Sequence, residues 1–206
     1  MSTYQSAHYG LETWTRDLRA ACGHFDTELA FNRSLFIGEV SKHSRGGLSL
    51  ANLRTNAGLI KRERPNADHD MDQHCFLVSQ RSGYCQITQN GQVIQLAPGD
   101  MLLMDSTGSI EISPFGLIEH ASLSLSRNEV CKQLGSASKT FGKISSSKAC
   151  GRMLHVLMDQ LCREGLEGQD SIEEAEALQA AVNPETRRVH TTYALAASTT
   201  GRLASN

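Results

Sequence analysis

The chain lacks an excess of basic charge. In 206 residues, 20 Lys and Arg face 22 Asp and Glu, which leaves none of the positive field that a phosphate-neutralising surface needs. Direct DNA binding by this chain alone is not expected. Nor does any apolar run approach the ~20 residues that cross a bilayer, and Met1–Gly10 is polar, without a charged segment leading into an apolar one. The expectation is a cytoplasmic protein with no membrane partner. No C-x-x-C pair occurs. Cys22, Cys75, Cys85, Cys131, Cys150 and Cys162 are scattered through apolar or mixed segments, as reduced cysteines acting as small core residues are. A G-x-S-x-G elbow, an H-E-x-x-H helix and a phosphate-cradling Gly-rich loop with Lys are also missing. Neither covalent nor metal-assisted catalysis therefore has a foothold. The chain reads as a binder and not an enzyme, with no catalytic residue, metal or cofactor expected.

What is present is a change of period along the chain. Leu11, Trp14, Leu18 and Cys22 recur at spacings of three and four, predicting an amphipathic helix over Leu11–Cys22 that stops at Gly23. From Phe25 to Leu125 short alternating or apolar runs are separated by Gly, Asn, Pro and Asp, the punctuation of an antiparallel all-β domain. Strands are predicted at Thr27–Asn32, Phe36–Ser41, Leu48–Arg54, Leu59–Arg64 and His74–Gln80. Five more follow, at Gly83–Gln89, Gln92–Leu96, Asp100–Met104, Ile110–Ser113 and Glu119–Leu125. Asn90-Gly91 accepts positive φ at both centres of a type I′ turn and predicts a tight hairpin. Pro98-Gly99-Asp100 reverses the chain again.

After Ser126 the period is helical again. Asn128–Leu134 reads as a short helix and Ser147–Arg163 as a long one, with Cys150, Leu154, Leu157 and Leu161 in a stripe that Met153, Val156 and Met158 widen. One face can then serve the barrel and another a second subunit, so Cys150, Met153, Leu154, Leu157 and Leu161 are the predicted dimerisation residues. Ser171-Ile-Glu-Glu opens a weaker helix ending near Asn183-Pro184, and Glu185–Asn206 shows no sustained period. The expected organisation is a lead-in over 1–24, a barrel over 25–126, a helical segment over 127–183 and a tail over 184–206. No internal repeat is visible.

Small antiparallel barrels host metal sites, so the cluster His69-Asp70-Met71-Asp72-Gln73-His74 was weighed as a ligand set. Alternation puts Asp70, Asp72 and His74 on one face of an extended strand, but no second motif supplies further ligands, and a solvated loop leading into a strand at His74 is the preferred reading. Lys61-Arg62-Glu63-Arg64 is a candidate grip for a carboxylate or phosphate, since arginine presents a planar fork. Alternation places Arg62 and Arg64 on one side. Among the strand residues Phe76, Val78, Tyr84, Ile87, Met101, Leu103 and Phe115 are expected to fill the interior or line a pocket in it. Arg62, Arg64, His74, Phe76 and Tyr84 are the predicted ligand-binding residues.

The stretch Gly91-Gln-Val-Ile-Gln-Leu-Ala-Pro-Gly-Asp-Met-Leu-Leu-Met-Asp105 resembles the second half of a cupin barrel: a hairpin, a turn around Pro98-Gly99-Asp100, then an apolar strand. With Trp14 on a preceding helix and Ser79-Gln-Arg-Ser-Gly83 before the hairpin, residues 11 to 165 resemble the N-terminal domain of AraC/XylS-family transcriptional regulators, most like the FeaR type. The resemblance implies a mainly β fold with C-terminal helices, namely a cupin-like double-stranded β-barrel or jelly roll followed by a helical dimerisation segment. It further implies a small-molecule effector, an aromatic amine or aldehyde by that analogy, and a homodimer. Metal-binding cupins carry His after the Gly-Asp turn, where this chain has Met101 to Asp105. The family's DNA-binding half, two helix-turn-helix units, is not expected in the residues after Gly165. The alternatives are a cupin-like metal-dependent enzyme and a truncated partner that heterodimerises with full-length regulators and inhibits them.

Overall fold

A computed structural model describes residues 3–31, 35–45, 47–62, 73–134 and 141–162. Helix α1 (Thr3–Cys22) leads into β1 (Asp26–Glu28), β2 (Gly38–Arg45), β3 (Leu48–Thr55), β4 (Leu59–Arg62), β5 (His74–Ser82) and β6 (Cys85–Gln89). Then come β7 (Gln92–Leu96), β8 (Met101–Asp105), β9 (Ile110–Pro114), β10 (Ile118–Ser126), α2 (Arg127–Leu134), β11 (Gly142–Ile144) and α3 (Ala149–Cys162). Among the described residues, those up to His43 and from Ser49 to Cys162 form one compact unit.

The strands make two antiparallel sheets, ordered β1-β4-β9-β6-β7 and β11-β8-β5-β10-β3-β2. Their inner faces close over a common core of Ile60, Phe76, Val78, Ile87, Leu102 and Ile112. This is the jelly roll expected from the sequence. Asn90 (φ 51°) and Gly91 (φ 80°) make the primed turn and set Ile87 opposite Ile94 and Gln89 opposite Gln92, so the hairpin keeps its apolar side inward. The next reversal closes with the Asp100 N–H donating to Ala97 O at 2.9 Å. The Ala97 N–H in turn donates to the Asp100 carboxylate at 2.7 Å.

Helix α1 covers the inner core. Ala7, Leu11, Trp14 and Leu18 form its buried stripe, and Trp14 meets Phe36 edge to face at 5.6 Å. The helix begins at Thr3, eight residues before the predicted start. Ala7 carries the stripe across the polar first turns, where alanine supplies helix propensity with little hydrophobic signal. The C-terminal end is tied down by Arg19, whose Nε donates to Phe25 O at 2.9 Å and whose Nη2 pairs with Asp26. Thr15 and Thr27 hydroxyls bond across the α1–β1 contact.

The six-stranded sheet is buried on both faces. Leu50, Leu77, Leu103 and Leu123 are buried yet stand opposite to the inward residues, in register across β3, β10, β5 and β8. Helix α3 lies on β10 and contributes the buried Met158, Leu161 and Cys162. At roughly 2 kcal/mol per buried leucine, this outer row adds a second source of stability to the larger inner core. A bidentate ion pair joins the end of β8 to α2: Arg127 Nε and Nη2 donate to the two Asp105 oxygens at 2.8 and 3.1 Å. Burial alone would raise the Asp105 carboxyl, but hydrogen bonds from Arg127 and Thr107 outweigh it and hold it below the usual range. Arg127 also stacks over Phe141, with 5.6 Å to the ring centre.

Tyr84 and Phe115 depart from the expected interior placement. They are 59% and 63% exposed, because they sit in the β5–β6 and β9–β10 reversals, where the Phe115 N–H donates to Tyr84 O at 2.8 Å. Strand β11 was not anticipated. Three residues paired to β8 are too short to produce an alternating signal. The weak helix after Ser171 and the tail lie outside the described residues.

Candidate ligand site

Between the inner faces and the last turns of α1 lies a small, half-open space. Leu18 and Cys22 of α1, with Phe25, form one side of it; Leu53, Ile60 and Ile112 form a second. Phe76, Val78 and Met104 complete the apolar wall, and β10 supplies the two polar residues His120 and Ser122. The cavity measures about 50 Å³, room for a few waters and below the ~150 Å³ of an apolar cavity known to admit benzene.

His120 belongs to a buried network that closes on itself. The Gln80 side-chain nitrogen donates to Ser82 O at 2.8 Å and to Gly83 O at 3.0 Å. That fixes the amide orientation, so Gln80 Oε1 is the acceptor for His120 Nε2 and for the Cys85 thiol at 3.2 Å. The Cys85 sulfur also stands 3.6 Å from His120 Nε2. Such mutual satisfaction is what allows polar groups to remain in an apolar interior.

Burial sets the protonation states. It pushes the His120 imidazole down to about 4 and the Cys85 thiol up to about 12, so at neutral pH the ring is uncharged and the sulfur keeps its proton. A Cys–His pair acts as a nucleophile only when the thiol is readily ionised. The Cys85–His120 pair is the reverse case, and the bonds it makes are to Gln80 and within the pair. Burial likewise pushes Cys22 up to about 11, with Lys42 partly opposing it.

The residues singled out from the sequence are dispersed. Phe76 lies in the cavity wall. Arg62 is buried, at 2% exposure, opposite Ile110 at the end of β4, and is not among the lining residues. His74 is exposed at the start of β5, with its Nδ1 3.3 Å from Ser124 Oγ, and Tyr84 is exposed in its turn. Arg64 and His69–Asp72 lie outside the described residues. Among the described residues no group of three or more His, Cys, Asp and Glu could hold a metal ion, and no helix is long and apolar enough to cross a membrane.

On α3, Leu161 is buried and Leu154 and Leu157 are half-buried, while Met153 and Val156 are 72% and 60% exposed. Nothing is described for the Cys150 side chain.

His120, Gln80 and Cys85 were not singled out from the sequence. The available signal was a histidine in phase with Ile118 and Ser122 on a strand of alternating polar and apolar residues. It points the wrong way under a hydrophobic-inside reading, because Ala121, Leu123 and Leu125 look like the inner face of that strand.

No protein-family model matches the chain, and no curated protein matches it. Its fold is similar to that of the AraC-like transcriptional activator CuxR, with 14% identity and a TM-score of 0.66 over 83% of this chain and 62% of that one. The chain thus spans less than two thirds of that protein's length. Smaller likenesses include the cupin domain of an XRE family transcriptional regulator from Enterobacter cloacae, at 13% identity and TM-score 0.34 over 42% of this chain and 94% of that one. Another is a cupin superfamily protein from Desulfitobacterium hafniense, at 16% identity and TM-score 0.36 over 43% and 77% of the respective chains.

Proposed function

We propose that this chain is the ligand-sensing and dimerisation part of a transcription regulator of the AraC type, with the barrel as sensor and the helices after it as the dimer contact. The observation that carries the reading is the small, half-open apolar cavity with one polar corner, set against the inner faces of the barrel. A small-molecule site characteristically combines an apolar wall with a few placed polar groups, and His120 and Ser122 supply such groups here. The fold likeness to an AraC-like activator agrees with it, as does the protonated, unreactive state of the Cys85 thiol.

Thermal melting against a broad panel of small apolar metabolites tests the sensor. A ligand that enters the cavity raises the melting temperature in proportion to the logarithm of its concentration, adding about 2.7 kcal/mol at a hundredfold excess over Kd. A panel that leaves the transition unmoved throughout rejects the reading.

The dimer contact is assigned to the outer side of α3. Met153 and Val156 stand one turn apart and exposed, flanked by Leu154 and Leu157. Val156→Glu is expected to weaken dimerisation by about 2 kcal/mol or more, turning a dimer into a monomer in sedimentation, without lowering the melting temperature of the monomer. A wild-type chain that sediments as a monomer at micromolar concentration, or a variant that stays dimeric, would count against this assignment.

A further inference from the structure

The polar corner of the cavity is one-sided. Because the Gln80 amide nitrogen is committed to the carbonyls of Ser82 and Gly83, its oxygen must receive, and His120 is held as the tautomer with its proton on Nε2. Nδ1 is left with a lone pair and no proton. Ser122 lies two residues along β10 and so on the same face; its hydroxyl donates to Ala51 O at 3.4 Å, which leaves the lone pairs of its oxygen. Every other described lining side chain is hydrocarbon or sulfur. The cavity therefore offers acceptors, and its one hydroxyl donor, Ser122, is turned to Ala51 O.

We propose that the barrel takes a small uncharged alcohol or phenol with an apolar body, its hydroxyl proton donated to His120 Nδ1. This rests on the reading of the barrel as a sensor and narrows it. An aldehyde or ketone brings only lone pairs to a corner already made of lone pairs. A carboxylate adds charge to the same mismatch. An ammonium group can donate, but no described lining residue supplies a counter-charge, and a buried unpaired cation is heavily penalised. A plain hydrocarbon fits the wall and leaves Nδ1 unsatisfied. The cavity of about 50 Å³ must enlarge to admit a ring, and Leu18 and Cys22 on the last turn of α1 are the wall that can move outward; Leu18→Ala makes room without that motion.

The test is a calorimetric titration of the wild-type chain and of Leu18→Ala at neutral pH with five ligands sharing one tolyl body: p-cresol, p-xylene, p-tolualdehyde, p-toluate and 4-methylbenzylamine. The expected result is p-cresol bound about tenfold tighter than p-xylene, with the aldehyde, acid and amine weaker than p-xylene. In nitrogen-15 histidine spectra of the unmutated chain, the His120 Nδ1 resonance should move with p-cresol and stay with p-xylene. His120→Phe should bring p-cresol and p-xylene within about threefold of each other. Equal or tighter binding of the aldehyde, acid or amine overturns the proposal, as does p-cresol binding with Nδ1 unmoved or a cresol preference that survives His120→Phe. If p-cresol and p-xylene bind alike, the sensor stands and this assignment falls. If none of the five binds either protein, the sensor reading falls with it.

Discussion

Between pH 6.5 and about 4 the protein is expected to lose stability at a rate set by one buried imidazole. His120 titrates at an ordinary 6.5 when unfolded and is pushed down to about 4 by burial in the fold. Above 6.5 both states hold a neutral ring and the group contributes no pH dependence. As pH falls through 6.5 the unfolded chain takes the proton first, so unfolding is favoured by about 1.4 kcal/mol per pH unit. The loss levels off near pH 4, where the folded ring also protonates, at a total of about 3 kcal/mol. Asp105, held below the ordinary carboxylate range, acts in a different window: its contribution is complete above its unfolded value of 3.8 and is lost only as pH falls further. Denaturation midpoints followed across this range, for wild type and for His120→Gln, isolate the effect, since glutamine can hold the Gln80 contact and does not titrate. Parallel pH profiles for the two proteins would show that His120 is not the group responsible.

Gly83→Ala is expected to be among the most damaging single changes available. Gly83 joins β5 to β6 at φ 72°, and a Cβ there would stand 2.2 Å from Leu117 O and 3.1 Å from the Ile118 Cα. These neighbours are backbone at the entry to β10 and cannot swing aside as a side-chain tip can. Left-handed strain and overpacking together predict a loss of about 4 kcal/mol, enough to remove most of the stability of a small domain. Gly91→Ala is the control: its φ is 80°, but nothing lies within 4 Å of the added carbon, so only the strain of about 1 kcal/mol remains. Equal losses at the two positions would remove the steric part of the explanation. Because Gly83 O also accepts from the Gln80 amide at 3.0 Å, the same substitution should disturb the network that orients His120.

The fold was legible where local chemistry dictates geometry. Asn90-Gly91 specified its turn and with it the register of β6 and β7; every predicted strand has a counterpart, Gln92–Leu96 with the ends expected and the others with ends that differ. The N-terminal helix was read as starting at Leu11 because its first turns bury only an alanine. The cavity wall was legible in two strand residues, Phe76 and Val78, and the polar corner was not, for a reason that lies in the packing of β10. Its two faces carry Ile118, His120 and Ser122 on one side and Ala121, Leu123 and Leu125 on the other. Alternation identifies the two sets and cannot tell which looks inward when helix α3 buries the second set as thoroughly as the barrel buries the first. The arginine fork was a sound inference from charge geometry, but Arg62 sits opposite Ile110, away from the cavity wall. The exposed apolar pair on α3 could not be separated from its neighbours by spacing alone, since the stripe is wide enough to serve both the sheet and solvent.

Strand β10 is a partition one peptide thick. On one side it presents the His120 imidazole to the cavity, and on the other, at the next residue, the buried Ala121, on the strand that α3 contacts. On the sensor reading proposed above, a guest that displaced the first would carry the second with it, and occupancy would reach the outer face through the stiffness of the sheet, without a hinge.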